Sequence, residues 1–321
     1  MKFSVTVIGG INIDLKGIAD SENFESDSYP GIVRISPGGV ACNIAQNLAQ
    51  LDVEVTLYGS VGDDHYGNFI LDILNKKKVN VGYILKSREL STSAYLSVSN
   101  KSQSLFYAVN NTENSVKHIT AEYIRKIKVE ILNSSMVVID TNLSIETLDE
   151  IVKLCNELFV PVFVSVVSAE KAAKVNNISG KINFLSLNQS EFVKLFGEYK
   201  NNDELLEIIN SEKSKKYSVI ILKKDKKGVD ILDVGENFID NYEAPEVMIA
   251  DVCGAGDAFD AGFIFYELYK YYENEKPFGS VNMGVCAAAF ALGSFETVSP
   301  ELSRKKLLNS FENRINEYFK P

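Results

Sequence analysis

The residues with the clearest chemical potential lie together late in the chain: Asp251-Val252-Cys253-Gly254-Ala255-Gly256-Asp257-Ala258-Phe259, followed by Asp260-Ala261-Gly262-Phe263-Ile264. A polar, glycine-broken turn runs into a small, apolar stretch that reads as a tightly packed buried helix. Glycines on both sides of Ala255 leave backbone N–H groups uncovered at the helix start. A helix N-terminus carries about half a positive elementary charge and unpaired donors, so the turn suits an anion. Asp257 sits on the first turn. A carboxylate there can cap the helix, or it can accept a proton beside a bound phosphate.

Other stretches repeat this combination of glycine and polar side chains. Ser36-Pro37-Gly38-Gly39 precedes a helical segment with apolar Ile44, Leu48 and Leu51. Asn43 in its first turn can cap locally or bond a hydroxylated ligand. Gly9-Gly10 follows the buried strand Val5–Ile8. Asn12, Asp14 and Lys16 then alternate with Ile11, Ile13 and Leu15, giving a strand with one polar face. A dinucleotide-binding reading of Gly9-Gly10 fails, because the third glycine is missing and a strand follows instead of a helix. Asn188 with Glu191 three residues on has the spacing of a capping box. Lys223-Lys224-Asp225-Lys226-Lys227 reads as a solvated hairpin.

The elements that would position these groups follow from periodicity. Strands are expected at Val53–Tyr58, Met136–Ile139, Val160–Val166, Phe184–Leu187, Val219–Leu222 and Val229–Leu232. Helices are expected near 66–77, 120–132, 144–158, 189–196, 203–212, 257–272, 280–293 and 303–318. This alternation predicts an α/β fold, with a mostly parallel sheet covered by helices on both faces and ligands beyond the carboxyl ends of its strands. Residues 17–35 read as a loop containing Asn23 and Asp27, then a short strand. Several strands within 12–35 and 92–109 lack intervening helices. They predict a small antiparallel subsheet that covers a site or pairs with another subunit.

Composition bounds the function. The chain has 321 residues, enough for one large α/β domain or two small ones, and its 45% hydrophobic and 24% charged content is ordinary for a soluble globular protein. A formal net charge of −10 disfavours nucleic acid and anionic membranes as partners. Met1-Lys2-Phe3-Ser4 leads straight into a strand, so no signal peptide is expected. The scattered Cys42, Cys155, Cys253 and Cys286 suggest reduced thiols in a cytoplasm. His65 and His118 are too isolated to suggest zinc.

Read together, five motifs occur in the order and spacing of the ribokinase-like family of ATP-dependent sugar and nucleoside kinases, which the chain resembles over about residues 5–305. They are Gly9-Gly10-Ile11-Asn12-Ile13-Asp14, Pro37-Gly38-Gly39-Val40-Ala41-Cys42-Asn43, Val61-Gly62-Asp63-Asp64-His65-Tyr66-Gly67, Asn188-Gln189-Ser190-Glu191, and Asp251 with Gly254-Ala255-Gly256-Asp257. Within the family, Thr92–Ser97, Ile119–Tyr123, Val138–Ser144 and Pro161–Val164 with Val167-Ser168-Ala169 and Lys171 resemble its pseudouridine kinase branch. The resemblance implies a single three-layer α/β/α domain with a β lid, transferring the γ-phosphoryl group of ATP to a nucleoside 5′-hydroxyl, pseudouridine first. Another sugar or nucleoside acceptor, or a non-catalytic ligand-binding relative, is the alternative.

The same resemblance implies roles. Asp257 is the base, and the backbone of Gly254, Ala255 and Gly256 forms an anion hole. Asn12, Asp14, Gly38, Gly39 and Asn43 hold sugar hydroxyls, with Ser93, Asn142 and Ser168 near the base moiety. Asn188, Lys223, Gly228 and Cys286 belong to the nucleotide side, with Cys286 in the adenine pocket. Glu191 acts on Mg²⁺ through water. K⁺ is a further implied cofactor, and a homodimer through the lid is implied. Cys253 stands where the family has threonine. Lys223 and Asp225 stand where it has a hydroxyl residue and glycine, so Lys223 is a candidate phosphate ligand. Ser165-Val166 replaces Asp-Pro, and Asn111 replaces an aspartate of the pseudouridine branch.

Overall fold

The computed structural model describes residues 3–22, 28–100, 105–270 and 279–318. Asn23, Asp27, lid residues 101–104 and the expected helix end at 271–272 lie outside them. The chain opens with β1 (Ser4–Ile8), β2 (Asn12–Ala19), β3 (Gly31–Gly38), α1 (Val40–Gln50), β4 (Glu54–Tyr58), β5 (Ser60–Gly62) and α2 (His65–Lys76). Next come β6 (Leu85–Ser87), β7 (Ala94–Ser99), β8 (Leu105–Asn110), α3 (Ala121–Lys126), α4 (Lys128–Leu132), β9 (Met136–Asp140) and α5 (Ile145–Leu158). The middle continues through β10 (Val162–Ser165), α6 (Ala169–Ala172), β11 (Ile182–Asn188), α7 (Gln189–Phe196), α8 (Asn202–Ile209) and β12 (Tyr217–Lys223). It closes with β13 (Val229–Asp233), β14 (Phe238–Tyr242), α9 (Ala255–Tyr269), α10 (Gly279–Leu292) and α11 (Arg304–Tyr318).

The main sheet has the order β14-β13-β12-β11-β10-β9-β1-β4. Pairing is parallel from β12 to β4, while β13 and β14 add an antiparallel edge. Both faces of the parallel part are covered, so its strands are apolar almost throughout. Alternation then sorts their side chains between two cores. Val5, Val7, Met136, Val138, Phe163 and Ile221 join the cluster with residues of α1, α9, α10 and α11. Ile8, Val137, Ile139, Val162, Val164, Ile220 and Leu222 join the opposite cluster with residues of α5 and α7. This is the expected three-layer α/β/α arrangement. The segment expected as one helix at 120–132 divides at buried Ile127 (φ −100°, ψ 23°). Turning there keeps Ile124, Ile127 and Ile131 in one core.

The lid is the four-stranded sheet β3-β2-β7-β8. Its outer pairs are antiparallel, as expected, but β2 and β7 run parallel. A long connection through α1 and α2 separates β2 from β7 and lets them point the same way. Period two divides the lid strands between two faces. Asn12, Asp14 and Lys16 are buried, whereas Val33, Ile35, Leu96, Tyr107 and Val109 are exposed.

The helix carrying Asp257 is fixed by contact with α10. An ideal Cβ on Gly262 would lie 2.7 Å from the Met283 carbonyl oxygen and 3.0 Å from the Gly284 Cα. Bare glycine lets the backbones approach closely, and this anchors α9 under the strand ends.

Candidate active site

Parallel strands end on one edge of the sheet, and the polar residues collect there. Gly9 and Gly10 follow β1, Asp140 ends β9, Ser165 ends β10, Asn188 ends β11 and Lys223 ends β12. Two helices begin at this edge with glycine N-caps and no side-chain cap: α1 at Gly39 (φ +99°) and α9 at Gly254 (φ +81°). Both angles favour glycine. Side chains cap α2, α5, α7 and α8 instead. At α9 the first-turn N–H groups, including those of Gly256 and Asp257, lie beyond reach of any preceding helix carbonyl. Of the expected donor set of Gly254, Ala255 and Gly256, the Ala255 N–H already donates to the Val252 carbonyl at 3.4 Å, while the Gly256 N–H at the helix start meets no helix carbonyl.

Asp257 does not cap its own helix. Its Oδ2 accepts a 2.8 Å hydrogen bond from Asn43 Nδ2 on α1. Burial pushes the Asp257 carboxyl up to about 7, with Asp260 and Asp140 adding to the rise. The Asn43 hydrogen bond and the Lys223 charge oppose it. Asn43 Oδ1 is buried and lacks a partner, which leaves an acceptor beside the carboxylate.

On the substrate side, Asn12 Nδ2 donates to Asp14 Oδ1 at 2.7 Å. Burial raises Asp14 to about 6, held back by Lys16 and Asn12. An ideal Cβ on Gly38 would fall 2.2 Å from Asp14 Oδ1, so the glycine makes space for that carboxylate. An ideal Cβ on Gly39 would lie 2.4 Å from the Gly10 carbonyl oxygen and 2.9 Å from Asn12 Oδ1. Asn142 packs against Gly10, and its Oδ1 accepts from Lys171 Nζ at 2.6 Å. Ser93 Oγ donates to the Asn111 carbonyl, while Asn111 Oδ1 accepts the Ala94 N–H at 2.6 Å. The Asn111 amide oxygen thus supplies an acceptor that an aspartate would also supply. Ser168 caps the short α6, a local role.

Sequence reasoning missed Asp140 as a site residue. This buried carboxylate accepts the Gly10, Ala41 and Asn142 N–H groups and the Asn142 side chain. It ties the first glycine turn to the start of α1. An acid ending an apolar buried strand at the ligand edge was the available signal. Asp260 was missed too, and it explains two departures at once. It is fully buried and accepts from Ser165 Oγ at 2.7 Å, from Ser186 Oγ at 2.6 Å and from Lys223 Nζ at 3.0 and 3.2 Å. A carboxylate inside an apolar helix run requires such partners. Ser165 and Lys223 both face this one group.

The lysine run is therefore not uniformly solvated. Lys223 and Lys224 turn inward, onto Asp260 and Asp230, while Lys226 and Lys227 are exposed. The reason is electrostatic: each buried carboxylate draws in a nearby ammonium. Lys223 Nζ lies 3.4 Å from where a Gly256 Cβ would be, beside the backbone at the start of α9.

The remaining nucleotide-side residues divide. Asn188 and Lys223 are register partners on adjacent strands. Asn188 and Glu191 form a complete capping box, with Glu191 Oε2 accepting the Asn188 N–H at 2.8 Å. Burial raises the Glu191 carboxyl. A carboxylate so engaged suits contact with Mg²⁺ through water better than direct ligation. Gly228 closes the β12–β13 turn against Tyr242, a backbone role. Cys286 does not line an open pocket: it is 4% exposed within the main core, and its thiol meets Ser310 of α11. Further along the same helix, Ala289 and Phe290 are only partly buried.

The fold and this edge define a phosphotransferase acting on an alcohol: a glycine-capped anion site, a buried aspartate one turn on, and polar groups for hydroxyls. Residues 2–304 match the pfkB family of carbohydrate kinases, and the chain belongs to it. It is 33% identical to a pseudouridine kinase of Escherichia coli (strain K12), over 96% of both chains. It is 30% identical to an uncharacterised sugar kinase of the same organism, over 94% of this chain and 82% of that one. The ribokinase of Giardia lamblia has the same fold, with a TM-score of 0.82 at 15% identity over 96% of this chain and all of that one (100%). The Arabidopsis thaliana ribokinase complexed with ribose and ATP gives 0.79 at 17% identity, covering 97% and 99%. The chain is thus a sugar or nucleoside kinase, and the family uses ATP.

Acting as a base, Asp257 would have to be ionised, so its raised carboxyl would set the sign of the pH dependence. For the free enzyme, kcat/KM should rise with pH through about 7 and level off above it. Lys223→Met removes a charge that holds Asp257 down, so its acid limb should move to higher pH. Rates measured between pH 5 and 9 test this, and an unshifted limb in the variant would count against the electrostatic link.

Proposed function

We propose that the chain is a Mg·ATP-dependent kinase of the 5′-hydroxyl of a nucleoside, with pseudouridine the first candidate acceptor. One observation carries the chemistry: Asp257 lies at the uncapped start of α9, bonded to Asn43 and near Lys223. The acceptor hydroxyl gives its proton to the Asp257 carboxylate as its oxygen bonds to the γ-phosphorus. The bond from that phosphorus to the bridging oxygen breaks, and ADP leaves. Positioning matters more than basicity in a loose phosphoryl-transfer transition state. The N–H groups of Gly254, Ala255 and Gly256 and the Lys223 ammonium stabilise the charge in transit. Asp260 accepts from that ammonium, and Ser165 and Ser186 in turn donate to Asp260. Mg²⁺ supplies charge neutralisation on the phosphates when bound, and Glu191 would meet it through water, with Asn188 alongside. Asn12, Asp14, Gly38, Gly39 and Asn43 receive the ribose hydroxyls, and Ser93 and Asn142 stand nearer the base.

Similarity to pseudouridine kinase along almost the whole chain supports the acceptor. A panel of pseudouridine, uridine, adenosine, ribose and fructose with Mg·ATP tests it through ADP release. Turnover confined to pseudouridine is expected. Turnover on another acceptor alone would discard the acceptor but keep the mechanism. Asp257→Asn should bind ligand and lose at least about 10²-fold in kcat, the scale of removing a general base.

The exposed lid face is the support for a homodimer. Val33 (76% exposed), Tyr107 (71%) and Val109 (67%) form an apolar surface with Ile35 and Leu96. A second copy presenting the same surface would bury it. Equilibrium sedimentation should give twice the 35.6 kDa chain mass, and Val33→Lys should halve it. A wild-type mass of one chain would refute the dimer.

A further inference from the structure

Resemblance to the family implied K⁺ as a cofactor, and the residues behind the anion-hole turn bear on it. Oxygen donors converge there from two loops: the Asp251 carboxylate before the turn and the Thr297 hydroxyl after α10. Lys16 Nζ already occupies the space between them, 3.2 Å from Asp251 Oδ2 and 3.1 Å from Thr297 Oγ1. The donor set does not fit an added cation, because a side-chain cation uses it.

We propose that Lys16 is a tethered cation that sets the anion-hole turn and makes a free monovalent cation unnecessary at that position. The inference rests on the kinase reading for its effect on turnover, but not for its effect on stability.

The connections run in both directions from this ammonium. Asp251 bridges: Oδ2 takes Lys16 while Oδ1 accepts the Cys253 N–H at 2.9 Å, inside the turn. Thr297 presses on the turn as well, since an ideal Gly254 Cβ would lie 2.1 Å from its carbonyl oxygen. At the other end, Lys16 belongs to β2 and shares its inward face with Asn12 and Asp14. One buried side chain therefore joins the strand that meets the acceptor to the turn that meets the phosphoryl group. Burial alone would lower the Lys16 ammonium, but the Cys253 sulfur and Asp251 carboxylate beside it more than offset this, and it is raised. Lys16 is thus a positioning residue, acting through Asp251 rather than touching the reacting atoms. A cavity of about 300 Å³ is lined in part by Lys16, Lys77 and Thr297.

Chemical rescue tests this on the full-length protein, read by both thermal midpoint and turnover. Wild type should be indifferent to exchange of Na⁺ for K⁺ or NH₄⁺. Lys16→Ala should melt lower and lose turnover by roughly 10²-fold, as expected for misplaced catalytic groups. Ammonium or methylammonium should restore both saturably by mass action, and tetramethylammonium, too large and without N–H donors, should restore neither. A wild-type requirement for K⁺ would overturn the proposal, as would a Lys16→Ala midpoint that ignores ammonium. If Lys16→Ala does not fold, the wild-type ion exchange decides alone. Rescue of the midpoint in a protein that phosphorylates nothing would uphold the Lys16 role and reject the kinase reading.

Discussion

The site depends on one buried charge: the Asp257 carboxylate at the start of α9. Desolvation there favours its protonated form, and only a few contacts pull the other way. Asn43 supplies a hydrogen bond from α1, and Lys223 supplies a charge from the end of β12. These three residues come from distant parts of the chain, so the sheet must bring their elements together before the carboxylate becomes useful. Its affinity for a proton is set near neutrality by this balance, where a base can both accept and release one.

The architecture serves that balance. Parallel strands bring Gly10, Asp140, Ser165, Asn188 and Lys223 to one edge. Close backbone contact at Gly262 and Gly284 seats α9, the helix that carries Asp257, against α10. Two further buried carboxylates organise the edge without being placed to react. Asp140 gathers backbone donors from the first glycine turn and α1. Asp260 gathers two serine hydroxyls and the Lys223 ammonium. The replacements at Ser165 and Lys223 are therefore a matched set around Asp260, and they favour an altered nucleotide side over a lost one.

Much of this was legible in the sequence because it is local. Strand and helix alternation gave the layers, and the glycine-flanked turns marked both uncapped helix starts. Asn188 and Glu191 announced their capping box by spacing alone. What escaped was long-range. Asp260 lies in an apolar run where only the strands opposite reveal its partners, and Lys16 meets Asp251 235 residues away. The parallel pairing of β2 with β7 depends on the path of the intervening chain. Cys286 looked like a pocket residue because a small, apolar helix suits either a cofactor or a core, and packing against α11 decides for the core.

The most direct test is to titrate the carboxyl itself. Carbon-13 NMR of protein labelled at aspartate side-chain carboxyls, compared with Asp257→Asn, isolates the one resonance. A resonance that disappears in the variant and titrates near pH 7 is the expected result. Titration of that resonance in the ordinary aspartate range, near pH 4, would contradict the account.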